Sequence, residues 1–265
     1  MRMCSIASGS SGNCIYVGTE ATHLLVDVGI SCKKTVEGLN KLGLAGNDID
    51  GILITHEHSD HVNGLGVMSR KFGIPIYATA GTIEGIKKIG SLGKIDDSLF
   101  HEISPDHKMM LKDITVNPMK ISHDAAQPVA YRFQYGNKRM AVVTDLGTYD
   151  EYTVESLKGM DALMLEANHD INMLQVGPYP YYLKQRILGN RGHLSNELSG
   201  KLLSRLLNDH MQTVFLGHLS HENNLAELAY ETVRLEISMA DNEYKPDDFQ
   251  ICVADRSEIS KIVEI

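Results

Sequence analysis

The segment Thr55-His56-Glu57-His58-Ser59-Asp60-His61 decides how the rest of this chain is interpreted. It begins where the apolar run GILIT at 51–55 ends, and it precedes a segment of helical period that starts at Val62. The local order is therefore strand, loop and helix. Surface histidines in a polar loop are the alternative interpretation, but random placement gives this HxHxDH spacing with odds on the order of one in several hundred.

The geometry of the segment favours two metal ions over one. In an extended stretch after a strand, residues two apart point to the same side, so His56 and His58 can converge on one ion. Asp60 and His61 stand at the start of the next helix and face another direction. Neutral imidazole and carboxylate are ligands of zinc, manganese or iron, and two such ions roughly 3.5–4 Å apart form a recurring hydrolytic device.

Three isolated ligands follow at the ends of later predicted strands: His123 after DITVNPMKIS, Asp145 in VVTDLG and His218 after TVFLG. In α/β sheets ligands gather at the carboxyl edge of the strands, and all three residues have that position. Taken alone, the aspartate could form a turn and the two histidines could lie in ordinary loops. Their joint placement favours one site with seven ligands from four strand ends.

The order of predicted elements indicates an α/β fold. Apolar β-rich runs alternate with segments of helical period in the first and last thirds of the chain. Between Ser98 and Thr144 four strand-like runs follow one another with only turns between them, which predicts antiparallel pairing. The glycine-rich ASGSSGN at 7–13 lacks the lysine and spacing of a P-loop, so we interpret it as a turn between strands.

Composition limits the classes of protein that the chain can belong to. Its 265 residues are 43% hydrophobic, enough for a sizeable core in one large domain or two small ones. No run approaches the ~18 apolar residues of a membrane span and no secretory signal is recognisable, so we expect a cytoplasmic protein with no membrane partner. The net charge of -9 argues against a protein that coats nucleic acid non-specifically, but it leaves a local site for an anionic substrate open. The four cysteines form no CxxC pair and are expected to be reduced thiols.

These motifs resemble those of the metallo-β-lactamase fold superfamily over nearly the whole chain. THEHSDHVNGL at 55–65 is similar to its HxHxDH signature, and Asp27 in LLVDVG resembles the early aspartate that orients the metal loop. The resemblance implies a four-layer αββα sandwich. It also implies two metals bridged by Asp145, one held by His56, His58 and His123 and the other by Asp60, His61 and His218.

Later motifs resemble the phosphodiesterase branch of the superfamily. The strand ending in Glu166 is similar to one in tRNase Z-type enzymes whose glutamate contacts a catalytic histidine, and Arg191-Gly192-His193-Leu194-Ser195 is similar to the segment that supplies this histidine. The resemblance implies that His193, held by Glu166, protonates the leaving group as general acid. A helix start capped by Ser195 is the structural alternative. The predicted catalytic residues are His193, Glu166 and Asp60.

The opening SIASGSSGNC, the segment at 167–170 and GHLSHENN at 217–224 are most similar to the YycJ/WalJ-type group of bacterial metallohydrolases, which is associated with exonuclease activity. Only 73 positions separate Asp145 from His218, too few for the nucleic-acid-clamping domain inserted in relatives of RNase J. A single domain over 1–265 is therefore implied. No basic arm like the exosite of tRNase Z is present, so tRNA 3′ processing is not expected.

Three functions follow as hypotheses. The first is a phosphodiesterase with two divalent ions, zinc before manganese, that degrades nucleic acid from an end, DNA in preference to RNA. The second is a small-molecule or cyclic phosphodiesterase, which the compact chain and the negative charge favour. The third is a regulatory protein without turnover, which the seven ligands disfavour.

Some features remain open between a functional and a structural role. Tyrosines interleaved with cations at 179–191 could stack bases and hold phosphates beside the metals, or they could form a packing segment. His169 and His221 are further candidates for ligand or substrate contacts, with ordinary loop histidines as the alternative.

Overall fold

Fourteen strands and nine α-helices make up the chain, and the computed structural model describes residues 1–265. The strands are β1 (Arg2–Ala7), β2 (Cys14–Gly18), β3 (His23–Val26), β4 (Gly51–Leu53), β5 (Ile76–Thr79), β6 (Phe100–Ile103), β7 (Met109–Leu111), β8 (Ile114–Lys120), β9 (Val129–Tyr135), β10 (Lys138–Val143), β11 (Ala162–Glu166), β12 (Thr213–Gly217), β13 (Gln250–Val253) and β14 (Val263–Glu264). The helices are α1 (Cys32–Lys41), α2 (Ser59–Val62), α3 (Leu65–Phe72), α4 (Ala80–Lys87), α5 (Glu151–Leu157), α6 (Ile171–Val176), α7 (Tyr181–Leu188), α8 (Asn196–Leu206) and α9 (Ala226–Met239).

The strands form two mixed sheets of seven strands each. The first sheet has the order β14-β1-β2-β3-β4-β5-β6, and the second has the order β13-β12-β11-β10-β9-β8-β7. In the second sheet, β10, β11, β12 and β13 are parallel neighbours, so their carboxyl ends meet at one edge. This edge and the end of β4 in the first sheet position the site described below.

Three buried apolar clusters show the layers. Successive residues of a strand point to opposite faces, and β11 illustrates the result: Ala162 and Met164 lie between the sheets, whereas Leu163 and Leu165 pack toward the helices. Helices α5, α8 and α9 cover this outer face, and α1, α3 and α4 cover the outer face of the first sheet. The predicted four-layer αββα sandwich is confirmed.

The prediction of antiparallel pairing between Ser98 and Thr144 is correct for β8, β9 and β10 but wrong for the first run. Strand β6 pairs in parallel with β5 and belongs to the first sheet. Helix α4 connects these two strands, and a strand-helix-strand connection brings parallel strands side by side. The second sheet begins only with the hairpin of β7 and β8.

Local sequence fixes the start of the helix that follows the candidate acid His193. The side chain of Ser195 accepts a hydrogen bond from the backbone N–H of Leu198, so α8 begins with the predicted cap. One face of α8 is buried against the second sheet through residues such as Leu202 and Leu206. None of the helices has the length and apolar content that a membrane span requires. All four cysteines are free.

Candidate active site

The candidate active site lies where strands of both sheets end. The HxHxDH segment at 56–61 follows β4, and the three isolated residues His123, Asp145 and His218 follow β8, β10 and β12. Glu166 is the last residue of β11. The structure therefore brings the strand-end residues together as their topological positions predict.

Asp27, which follows β3, has a left-handed backbone with φ of 61°, and so do Asp145 and His218, with φ of 59° and 56°. This conformation is unfavourable for a residue with a Cβ atom, and such residues concentrate at functional sites. All three side chains are buried, and each lies within 3.1 Å of a histidine or glutamate of the cluster.

One group of possible metal ligands consists of His56, His58 and His123, each of which offers a ring nitrogen within 4.8 Å of the others. The Nε2 atom of His123 lies 3.2 Å from Nδ1 of His58. The ring centroid of His56 lies 4.6 Å from that of His58 and 4.8 Å from that of His123. Three imidazoles from two sheets thus face one point.

A second group consists of Asp60, His61 and His218, again within 4.8 Å of one another. The Oδ2 atom of Asp60 lies 3.3 Å from Nε2 of His218 and 3.5 Å from Nε2 of His61. Asp145 stands between the two groups, because its Oδ2 lies 3.1 Å from His61 Nε2 and its Oδ1 lies 3.7 Å from His123 Nε2.

Four of the imidazoles are held from behind through Nδ1, which directs Nε2 toward the centre. His123 Nδ1 lies 3.1 Å from the carbonyl oxygen of Gly192, and His218 Nδ1 lies 2.8 Å from Glu166 Oε1. His56 Nδ1 lies 3.0 Å from Thr55 Oγ1.

The fourth is His61, whose Nδ1 lies 2.8 Å from Asp27 Oδ2. Asp27 also accepts hydrogen bonds of 2.8 Å from the backbone N–H and the hydroxyl of Thr55. It therefore holds both ends of the segment that opens the site, the orienting role implied by the resemblance.

Glu166 and His193 form a pair beside the two groups. Glu166 Oε1 lies 2.8 Å from His193 Nδ1, and Oε2 accepts from the backbone N–H groups of Leu146 and Leu194 at 2.8 and 3.1 Å. Glu166 is fully buried, whereas the side chain of His193 keeps 19% of its surface exposed. The glutamate is thus fixed by backbone donors, and it presents the imidazole at the open side of the site.

The charges of the site are interdependent. Burial lowers the pKa of His56 well below its ordinary value, because desolvation opposes the imidazolium form. Burial acts in the same sense on His218, but the carboxylates of Asp145 and Asp60 outweigh it and raise the pKa to about 10. Burial raises the pKa of Glu166, yet the positive charge of His193 and the hydrogen bonds of both histidines bring it to about 2. The Glu166 carboxylate is therefore anionic at neutral pH.

Two polar atoms test whether a cation fits here. His56 Nε2 and Asp145 Oδ2 are buried and have no hydrogen-bond partner, since the 3.1 Å approach of His61 Nε2 to Asp145 Oδ2 lacks hydrogen-bond geometry. Buried polar atoms are normally paired, so two that face the same small space as other ligands need a further partner. A divalent cation supplies it, because imidazole nitrogen and carboxylate oxygen are its ligands. The residues present fit divalent metal.

Other histidines remain outside these groups. His169 is buried and its Nδ1 lies 3.3 Å from Asn168 Oδ1. The side chain of His221 is 71% exposed and pairs with Glu222. Neither belongs to a cluster of possible ligands.

Sequence reasoning missed several polar residues that support the site. In the loop at 7–13, which we interpreted as a plain turn, Ser8 Oγ accepts from the backbone N–H of His218 at 2.8 Å, and Asn13 Nδ2 lies 3.2 Å from His61 Nε2. Asn168 Nδ2 donates to the carbonyl oxygen of His218 at 2.8 Å. Small polar residues in a loop carry no spacing signal, so only the folded chain reveals these contacts.

Comparison with known proteins assigns the family. Residues 22–216 match the sequence profile of the beta-lactamase superfamily domain, and the chain belongs to this superfamily. It is 41% identical to the exodeoxyribonuclease WalJ of Streptococcus pneumoniae, over 89% of this chain and 88% of that protein. It is 40% identical to the exodeoxyribonuclease YycJ of Bacillus anthracis, over 86% of each chain. The resemblance to the YycJ/WalJ-type group is confirmed.

A solved structure supports the fold independently. Zn²⁺-bound PqqB from Methylobacterium extorquens superposes with a TM-score of 0.73 over 100% of both chains, at 14% sequence identity. At this identity the likeness concerns the fold alone.

Proposed function

We propose that this protein is a metal-dependent phosphodiesterase that hydrolyses DNA from an end, with residues 1–265 acting as one domain. The observation that carries the proposal is the pairing of His193 with buried Glu166 directly beside the two groups of possible metal ligands. The names of the two relatives at 40–41% identity support a DNA exonuclease.

We assign two ions to the site. His56, His58 and His123 would hold one ion, Asp60, His61 and His218 would hold the other, and Asp145 would bridge them. The distances within each group and the unpartnered atoms of His56 and Asp145 support this assignment. Zinc is the first choice, because five of the seven proposed ligands are imidazoles, and manganese, which favours oxygen ligands, is the alternative.

Divalent ions held by these residues would lower the pKa of water toward neutrality and offset the negative charge of the phosphoryl oxygens. The chain's own residues then serve the leaving group. His193 uses Nδ1 to bind Glu166, so its Nε2 is the atom that transfers a proton to the departing alkoxide. Glu166 keeps the ring in one orientation, and Asp60 contributes to catalysis as the partly exposed carboxylate between His61 and His218.

The test is a cleavage assay with metal-replete enzyme on end-labelled single- and double-stranded DNA and RNA of identical sequence. We expect products released from DNA ends and less from RNA. Asp145→Ala and His193→Ala enzymes, prepared in parallel, exclude a contaminating nuclease when both lose the activity.

Two results would contradict the proposal. Cleavage of a cyclic nucleotide without cleavage of DNA would assign a small-molecule phosphodiesterase to this site. Metal-replete protein that cleaves neither substrate would indicate a regulatory protein that keeps the fold.

A further inference from the structure

Helix α7 differs from the other eight helices, because none of its residues is buried. Tyr181 and Tyr182 on this helix are 76% and 74% exposed. Aromatic side chains normally bury most of their surface, so two adjacent tyrosines that are largely exposed are unusual. Helix α7 is therefore not the packing segment that its composition allowed, and the rings of Tyr181 and Tyr182 are free.

The helix is attached to the rim of the candidate active site. Arg186 forms a bidentate ion pair with Asp124, and Asp124 Oδ1 lies 3.5 Å from Nε2 of His123, one of the proposed metal ligands. Three residues beyond α7, Arg191 donates two hydrogen bonds of 3.1 and 3.0 Å to the carbonyl oxygen of His123. These contacts hold the carboxyl end of α7 beside the site.

Arg186 retains capacity for another anion. A guanidinium has five N–H donors, and its Nε and Nη2 atoms bind Asp124. The side chain is 55% exposed. The chain has a net charge of -9. An exposed arginine next to the proposed metal ligands is a local donor group that can bind phosphate.

Tyr182 and Arg186 lie four residues apart and therefore occupy the same face of α7, roughly 6 Å apart along its axis. An aromatic ring and a cation at this spacing match a nucleotide, whose base stacks on aromatic rings and whose phosphate binds cations. We infer that α7 holds the DNA strand whose end enters the active site, with Tyr182 stacked on an unpaired base and Arg186 bound to a neighbouring phosphate. This inference rests on the proposed function.

The experiment tests whether the ring of Tyr182 and a base of the DNA strand act through one shared contact. A single-stranded oligonucleotide is compared with one of the same length in which the nucleotides next to each end are abasic, so that the phosphates remain and the stacking surface is removed. The measured quantity is kcat/KM of the metal-replete enzyme on each substrate. The variants are Tyr182→Ala, Tyr182→Phe and, as a matched control, Tyr135→Ala, which removes an exposed tyrosine from the end of β9 opposite the site.

For the native enzyme we expect the abasic substrate to lower kcat/KM roughly 5- to 150-fold, the range for one stacked base. Tyr182→Ala should show a loss of the same size on the normal oligonucleotide and little further loss on the abasic one. Tyr182→Phe should restore the native pattern, because the ring is kept. Tyr135→Ala should match the native enzyme on both substrates.

The inference would be overturned if Tyr182→Ala lowered kcat/KM on the abasic oligonucleotide by the same factor as on the normal one. DNA cleavage by the native enzyme would still support the proposed function. Cleavage of duplex DNA without cleavage of the single-stranded oligonucleotide would also overturn the inference and leave the proposed function standing, whereas failure on both would refute the proposed function. Sedimentation of the native protein and of Tyr182→Ala tests whether a second copy of the chain, and not DNA, covers this face of α7. A native dimer that the substitution converts to monomer would assign this face to a second copy of the chain, and the strand-binding role would be rejected.

Discussion

The Oε1 atom of Glu166 lies 2.8 Å from Nδ1 of His193 and joins a buried carboxylate to an imidazole at the open side of the site. The same oxygen lies 2.8 Å from Nδ1 of His218. One carboxylate therefore orients both the proposed acid and a proposed metal ligand, and a change at Glu166 should be felt in both.

The first prediction concerns His193. His193→Ala should retain metal but lose about 10²–10⁴-fold in turnover of DNA, the range for one general acid. A nitrophenyl phosphodiester should recover much of this loss, because its leaving group departs as a stable anion. Glu166→Gln should lose less turnover than His193→Ala, and it should also weaken metal binding, because Glu166 orients His218 as well. Steady-state kinetics on both substrates, with elemental analysis of each preparation, measure this.

Equal slowing of both substrates by His193→Ala, or release of a metal, would show that His193 is a ligand or a structural helix start. The phosphodiesterase mechanism would then lose its proton donor.

The second prediction concerns Asp145. Elemental analysis of metal-replete native protein should give two ions per chain, and fewer than one would contradict the assignment. Asp145→Ala should disturb both sites and abolish turnover, because its two oxygens face both groups. The matched variant His169→Ala removes a buried histidine outside the clusters and should leave metal content intact. Similar metal loss in the two variants would mean that the ligands have been misassigned.

The third prediction concerns Asp27, which contacts His61 but not the proposed ions. Asp27→Asn should weaken the affinity for the ion assigned to His61 about 10–100-fold, the range for residues that orient a ligand. Titration with a chelator should remove one ion well before the other. Asp113→Asn serves as the control, because Asp113 binds Thr19 and Thr22 and precedes β8, whereas His123 follows it. Unchanged chelator resistance in Asp27→Asn would exclude the orienting role.

The fourth prediction is a pH dependence of stability at His169. Burial lowers the pKa of His169 to about 4. The folded chain thus holds this imidazole neutral, while the unfolded chain binds a proton near pH 6.5. The free energy of unfolding is therefore unaffected by this group above pH 6.5, and it falls as the pH drops from 6.5 toward 4. The loss between pH 7 and pH 5 should be about 2 kcal/mol.

Urea unfolding of native protein and of His169→Gln at both pH values isolates this contribution, since all other titrating groups are common to the two proteins. The native protein should show the steeper decline. Parallel declines would mean that His169 has an ordinary pKa in the folded chain.

The metal-ligand candidates could be predicted from the sequence because residues of the right chemistry stand at the ends of predicted strands. The spacing of His56 to His61 and the strand ends before His123, Asp145 and His218 are both visible in one dimension. The supporting contacts were not visible, because they join residues far apart in the chain: Ser8 and His218 are 210 positions apart. Tertiary packing alone decides such pairs.

Sheet membership was also beyond local reasoning. The run that forms β6 has the same β-rich character as β8, yet α4 places it beside β5 in the other sheet. The exposure of α7 could not be predicted either, since tyrosines at helical spacing are compatible with packing or with solvent. Only the covering elements distinguish these outcomes.

The left-handed backbone at Asp27, Asp145 and His218 affects any attempt to redesign this chain for heat resistance. Each such residue costs on the order of 1 kcal/mol relative to glycine, which adopts this conformation freely. A sequence optimised on this backbone for stability alone would place glycine at all three strand ends and remove two proposed metal ligands and the aspartate that holds His61. Engineering of a thermotolerant form should therefore hold these three positions constant and seek its gains on the outer helices.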